Sequence, residues 1–169
     1  MLFRSTDLTE AAKALGIGAG WAGSLGVDGA FDGSIPETRK GTDQAAAVIG
    51  QARTEVSPLS LAVMSATIGR GTYVPPSLVV TAEGGPRPVP LDGTAVGQIR
   101  SMMADVVTSG TATVLRDTPG GPVRGKTGTA DHGVDEKPYT WFTGYQGDVA
   151  FAVLVEEGVS RSEEHTSEL

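Results

Sequence analysis

One stretch of six residues, Gly125-Lys126-Thr127-Gly128-Thr129-Ala130, does most to narrow what this chain can fold into and do. It joins a cation, two hydroxyls and two glycines. On a strand, successive side chains alternate faces. Lys126 then points one way, and Thr127 and Thr129 point the other, roughly 6–7 Å apart. Two hydroxyls on one strand can grip a carboxylate, and a lysine behind them can bias proton transfers. Gly128 removes the side chain between them, so a substrate backbone can lie against the strand.

The same letters satisfy a phosphate-loop pattern. Gly120-Gly121-Pro122-Val123-Arg124-Gly125-Lys126-Thr127 reads G-x-x-x-x-G-K-T. That loop needs a helix directly after the lysine to hold the phosphates at its N-terminus. The residues that follow, Gly128-Thr129-Ala130-Asp131-His132-Gly133 with Pro138 shortly after, are poor helix formers. No segment between here and the apolar run at 150–157 is long enough to be the helical crossover of a parallel strand pair. The strand reading is therefore preferred. His132, Asp135 and Glu136 sit in a polar loop without metal-ligand spacing, so no metal and no cofactor is expected.

At 169 residues the prior is a single domain. A hydrophobic content of 39% suits a foldable chain, and 24 glycines imply many turns. With no cysteine, disulfides and thiolate metal sites are excluded. A net charge of −7 argues against nucleic acid as the main partner. No signal peptide or transmembrane run stands out. Residues 161–169, RSEEHTSEL, lack apolar periodicity and read as a translated sequencing-adapter tail, so they are kept apart from the fold, assigned to 1–160. The tail carries Arg161 against Glu163, Glu164 and Glu168, a net −2, so the remainder carries −5 of the −7.

Asp7 and Glu10 have capping-box spacing, and Leu8, Ala11, Ala12 and Leu15 recur at helical spacing up to Gly16. Residues 17–41 read as a long loop tacked down by Trp21 and Phe31. A helical turn is expected around 43–48. Ser57-Pro58 is a helix start, and the apolar run Leu59–Ile68 predicts a buried helix ending at Gly69 and Gly71. Residues 73–80 are extended but proline-limited, and 82–91 form turns. Asp92 caps a helix with Val96, Ile99, Met103 and Val106 inward, and Met102 and Met103 are read as core filler. Residues 110–115 add one helical turn before the lysine strand. Residues 139–145 and 148–155 predict a hairpin turning at Gln146-Gly147. Both faces of Phe151–Val155 are apolar, which predicts a central strand covered on both sides. Helices followed by a three-strand antiparallel run give an α+β layering.

Four blocks in order then carry a resemblance. Lys126-Thr127-Gly128-Thr129-Ala130 resembles the third signature of the penicillin-binding proteins, the serine D,D-transpeptidases of cell-wall synthesis. Ile49-Gly50-Gln51 with Val56-Ser57-Pro58-Leu59 resembles the family's approach to its last long buried helix. Val107-Thr108-Ser109-Gly110-Thr111-Ala112 resembles the lead-in to the lysine strand, and Trp141-Phe142-Thr143-Gly144-Tyr145 the next strand. The likeness covers residues 1–159. The family's S-x-x-K and S-x-N motifs are absent: no serine has a lysine three places on, and no asparagine occurs. The chain is thus expected to be a C-terminal piece of a transpeptidase domain that lacks the nucleophile and is inactive alone.

The resemblance implies an antiparallel sheet packed with helices and acyl transfer from a D-Ala-D-Ala stem peptide of peptidoglycan, through a serine acyl-enzyme. Lys126 is then the lysine that sets local electrostatics and relays the proton. Thr127, Gly128 and Thr129 hold the substrate's carboxylate, or that of a β-lactam. The Thr129 N–H is one of two oxyanion donors, worth roughly 3–4 kcal/mol. The implied partners are stem peptide, β-lactams and the remainder of the same domain, at the extracytoplasmic face of the bacterial membrane. A β-lactam sensor or a β-lactamase of the same fold is the alternative.

Overall fold

The computed structural model describes residues 5–37, 42–79, 86–130 and 137–156. Helix α1 (Ser5–Ala14) leads into a glycine-rich loop, and α2 (Thr42–Val48) precedes α3 (Pro58–Arg70). Strands β1 (Thr72–Tyr73) and β2 (Val89–Pro90) form a two-stranded ladder. Helix α4 (Gly93–Thr108) and a 3₁₀ turn at Thr113–Leu115 lead into β3 (Arg124–Ala130), β4 (Tyr139–Gln146) and β5 (Val149–Val155). These last three make an antiparallel sheet of order β3-β4-β5. The α+β layering expected from the sequence is the one observed.

Local chemistry sets the helix ends. The Ser57 hydroxyl accepts from the Ser60 N–H at 3.1 Å, and the Ser60 hydroxyl accepts from the Ser57 N–H at 2.9 Å, a reciprocal cap with Pro58 inside it. Helix α3 runs past Gly69 and stops at Gly71, whose φ of +78° suits the left-handed cap. Arg100 of α4 closes this end: its guanidinium donates to the Ile68 and Gly69 carbonyls, each at 2.9 Å. Asp92 caps α4 through the Ala95 N–H at 2.8 Å.

The sheet is packed on both faces, and α4 contributes to each cluster. On one face α3 lies across β4 and β5, and Ile68, Met103 and Tyr145 form a buried cluster with Leu15, Met64, Ile99 and Ala150 against it. On the other, Val107, Ala112 and Val123 pack on Phe142 and Phe151, whose rings stack at 5.8 Å. Gly125 and Gly144 face each other across the ladder. A methyl on Gly144 would strike the Arg124 carbonyl, and one on Gly125 would strike the Phe142 ring. Tyr73 packs under the first loop; burial first, and the charge of Asp32 second, push its phenol above its ordinary value.

Several sequence expectations are corrected. Among the described residues β5 is an edge strand, not a central one: β4 is in the middle, and Val149, Val153 and Val155 are 65%, 52% and 49% exposed. Apolar residues on both faces showed what the strand can bury, not what covers it here. Met102 is exposed while Met103 is buried, because only one of two adjacent helical positions can face the core. Trp21 does tack the loop, donating its indole N–H to the Gly16 carbonyl at 2.6 Å, while Phe31 is 40% exposed and its carbonyl accepts from the Ser57 hydroxyl. Helix α1 begins at Ser5, so Asp7 lies in its first turn and does not cap it. Leu59 is exposed on an otherwise largely covered α3. The hairpin turns at Gly147-Asp148, one residue later than expected, because Gln146 pairs with Val149. The 161–169 tail and the loop holding His132, Asp135 and Glu136 lie outside the described residues.

Two outcomes follow from this packing. Gly144→Ala should lower the urea midpoint, by about 2 kcal/mol of stability, while Gly93→Ala, open to solvent at the start of α4, should hold or raise it. The exposed β5 valines should bind an apolar-surface dye and drive concentration-dependent association. A sharp cooperative melt with no dye-accessible surface would contradict the second.

Candidate functional site

The turn before β3 is clasped from the sheet. The Gln146 side-chain amide donates to the Pro119 and Gly121 carbonyls at 2.9 and 2.8 Å. β3 then pairs in register with β4, setting Lys126 opposite Thr143, Thr127 opposite Phe142, Gly128 opposite Trp141 and Thr129 opposite Thr140. Cross-strand partners share a face. Lys126 therefore lies on the α3 side of the sheet, with Thr127 and Thr129 on the reverse, as alternation along a strand requires. Lys126 sits inside a strand and not at a helix start, which removes the phosphate-loop reading.

Beneath Lys126, its cross-strand partner Thr143 locks the sheet to α3. The Thr143 and Ser65 hydroxyls are 2.7 Å apart, and Thr143 reaches the Leu61 carbonyl at 3.0 Å. Ser65 is fully buried and Thr143 nearly so. A satisfied polar pair in an apolar interface opposes sliding of the helix over the strands. The Lys126 ammonium donates to the Thr127 carbonyl at 2.6 Å. The Thr127 hydroxyl lies 2.7 Å from that of Thr111, on the segment between α4 and the 3₁₀ turn. Thr129 and Gly128 are exposed. A methyl on Gly128 would meet Trp141 Cβ at an ordinary 3.5 Å, so packing within the sheet does not itself demand glycine there.

The edge of β3 away from β4 has no strand partner among the described residues. It borders an open cleft of about 1470 Å³. Gln51 and Glu55 line the cleft from the loop before α3, Leu61 and Met64 from α3 itself, and Thr111 from beyond α4. Lys126 and Glu55 are the ionisable side chains among its lining residues apart from Tyr139. An unpaired strand edge can accept an extended ligand through its backbone groups. The Lys126 ammonium and the Thr127 and Thr129 hydroxyls are the groups along it that can attract or donate to an anion such as a carboxylate. No group of metal-ligating side chains occurs among the described residues.

The four residues singled out from the sequence, Lys126, Thr127, Gly128 and Thr129, thus lie together along the cleft. The contact of Thr111 with Thr127 and the Ser65–Thr143 pair were missed. Both join residues far apart in sequence, and local pattern carries no sign of them.

Comparison with known proteins gives the family. The model of the penicillin-binding protein transpeptidase domain matches residues 3–168. No curated protein matches the chain. PBP2 of Pseudomonas aeruginosa, solved in complex with WCK 5153, superposes with a TM-score of 0.71 at 27% identity, over 92% of this chain and 38% of that one. The transpeptidase domain of Burkholderia pseudomallei penicillin-binding protein 3 gives 0.72 at 24% identity, over 92% of this chain and 50% of that one. Penicillin-binding protein A of M. tuberculosis, solved as an imipenem acyl-enzyme, gives 0.65 at 22%, over 83% and 36%. The last two likenesses bear on the fold alone, and the chain spans half or less of each of these three solved relatives. With the family model matching nearly its full length, the chain belongs to the penicillin-binding protein transpeptidase domain family.

Proposed function

We propose that this chain supplies the lysine-strand wall of a peptidoglycan D,D-transpeptidase site. In this reading a serine outside the present sequence attacks the penultimate D-Ala carbonyl of a stem peptide. The terminal D-Ala leaves, and the amine of a second stem resolves the acyl-enzyme. The observation that carries the reading is Lys126-Thr127-Gly128-Thr129 on a strand edge unpaired among the described residues, beside an open cleft, in a chain of this family. The bound substrate carboxylate lies against the Thr127 and Thr129 hydroxyls, and Lys126 turns from the Thr127 carbonyl toward the reacting hydroxyl to bias its proton transfer. The Thr129 N–H is one donor to the developing oxyanion. β-Lactams, whose carboxylate mimics that of the stem peptide, occupy the same place. Such a domain works at the extracytoplasmic face of the bacterial membrane. The described residues include no helix long and apolar enough to cross one.

The sequence has no S-x-x-K and no S-x-N. The reading therefore has the rest of the transpeptidase domain complete the site and cover the exposed valines of β5. Fluorescent penicillin tests it. A protein uniting this segment with an S-x-x-K serine should be labelled covalently, and this chain alone should not. Lys126→Gln should slow labelling by about 10²-fold or more. Labelling of the chain alone would sink the reading, and rapid turnover of a chromogenic cephalosporin by the larger protein would favour a β-lactamase instead.

Gly128 separates binding from folding. Gly128→Ala finds ordinary van der Waals room against Trp141, so its stability should stay within about 0.5 kcal/mol of wild type. Its methyl projects from the strand that the ligand backbone must approach, so acylation by penicillin should fall at least tenfold. Equal loss of stability and labelling would show that the glycine serves the fold.

A further inference from the structure

Thr111 takes no part in the proposed reaction, yet its hydroxyl touches that of Thr127 at 2.7 Å. The two residues lie on different elements, 16 positions apart. Thr111 is held where it is by its neighbours. Ala112 is 5% exposed, packed with Val107 and Val123, and its N–H donates to the Val106 carbonyl at 2.9 Å. A methyl on Gly110 would come within 2.7 Å of Val106 Cα, so the chain can make this close exit from α4 only with glycine there. The Arg116 guanidinium donates to the Thr108 carbonyl and closes the same segment. The end of α4 thereby delivers one hydroxyl to one point on β3.

Two facing hydroxyls share one hydrogen bond, so one of them donates and the other keeps its own proton free. A carboxylate accepts only. The arrangement that serves a carboxylate on Thr127 has Thr111 donating to Thr127 Oγ1 and Thr127 donating outward. The opposite direction turns Thr127's proton away from the cleft and presents a lone pair to the anion. From this contact, and resting on the function proposed above, we infer that Thr111 is a positioning residue: it orients the Thr127 hydroxyl so that its proton points at the carboxylate of the bound acyl donor.

The experiment uses the larger protein that unites this segment with its S-x-x-K serine, a penicillin, and the same penicillin as its methyl ester. Acylation rates are measured for wild type, Thr111→Val, Thr111→Ser, Thr127→Val and the Thr111→Val/Thr127→Val pair. Thr111→Val should lower the acid-to-ester preference by about three- to tenfold, the range one hydrogen bond spans. Thr111→Ser should restore it, and the double variant should lose no more preference than Thr127→Val alone. A merely structural role would slow acid and ester alike and leave the preference unchanged, which would overturn the inference; so would additive losses in the double variant. Wild-type protein that no penicillin acylates would instead overturn the proposed function and the role of Thr111 with it.

Discussion

The β3–β4 ladder is the constraint on which the rest of this structure depends. Its tightest point is Gly125 against Gly144, where the backbones approach too closely for any side chain on Gly144. Register in a sheet is all or nothing: a slip of one residue sends every side chain to the other face. Here such a slip would turn Lys126 away from α3 and carry both threonines onto the α3 face in its place. The glycine pair, the Gln146 clasp on the preceding turn and the Thr143–Ser65 bond all oppose that slip. Of these groups only Thr143 lines the cleft, so its chemistry is held in large part from outside it.

The arrangement divides labour between the two faces of one strand. The lysine side is backed by α3 and its buried hydroxyl pair. The threonine side is reached from the end of α4, through a segment fixed by a buried alanine and a glycine. Helix α4 also caps α3 through Arg100. The two helices that flank the lysine strand are therefore tied to each other as well as to the sheet. That is the support a binding wall needs if its donors are to stay in place when a ligand arrives.

Much of this was legible in the sequence, for reasons that differ by element. The α3 cap at Ser57-Pro58 and the α4 cap at Asp92 are local chemistry, and both stand where the residues put them. The division of Lys126 from Thr127 and Thr129 follows from strand alternation alone. What escaped was set by partners distant in sequence. Two-sided apolarity in Phe151–Val155 suggested a central strand, but strand order depends on which neighbours pair, and β4 took the middle. Two adjacent methionines look alike in a pattern, and only packing separates Met103 from Met102. Thr111 sits in a block that resembled the family, yet nothing in that block marks its hydroxyl as the one that meets Thr127.

The central claim is that β3 is a carboxylate-binding wall beside an acylated serine. The most direct measurement is a crystal structure of the penicilloyl adduct of the larger protein. The account predicts the adduct's carboxylate within about 2.5–3.0 Å of the Thr127 and Thr129 hydroxyls, with its chain lying along the free edge of β3. A carboxylate seated elsewhere, with those hydroxyls facing solvent, would contradict it.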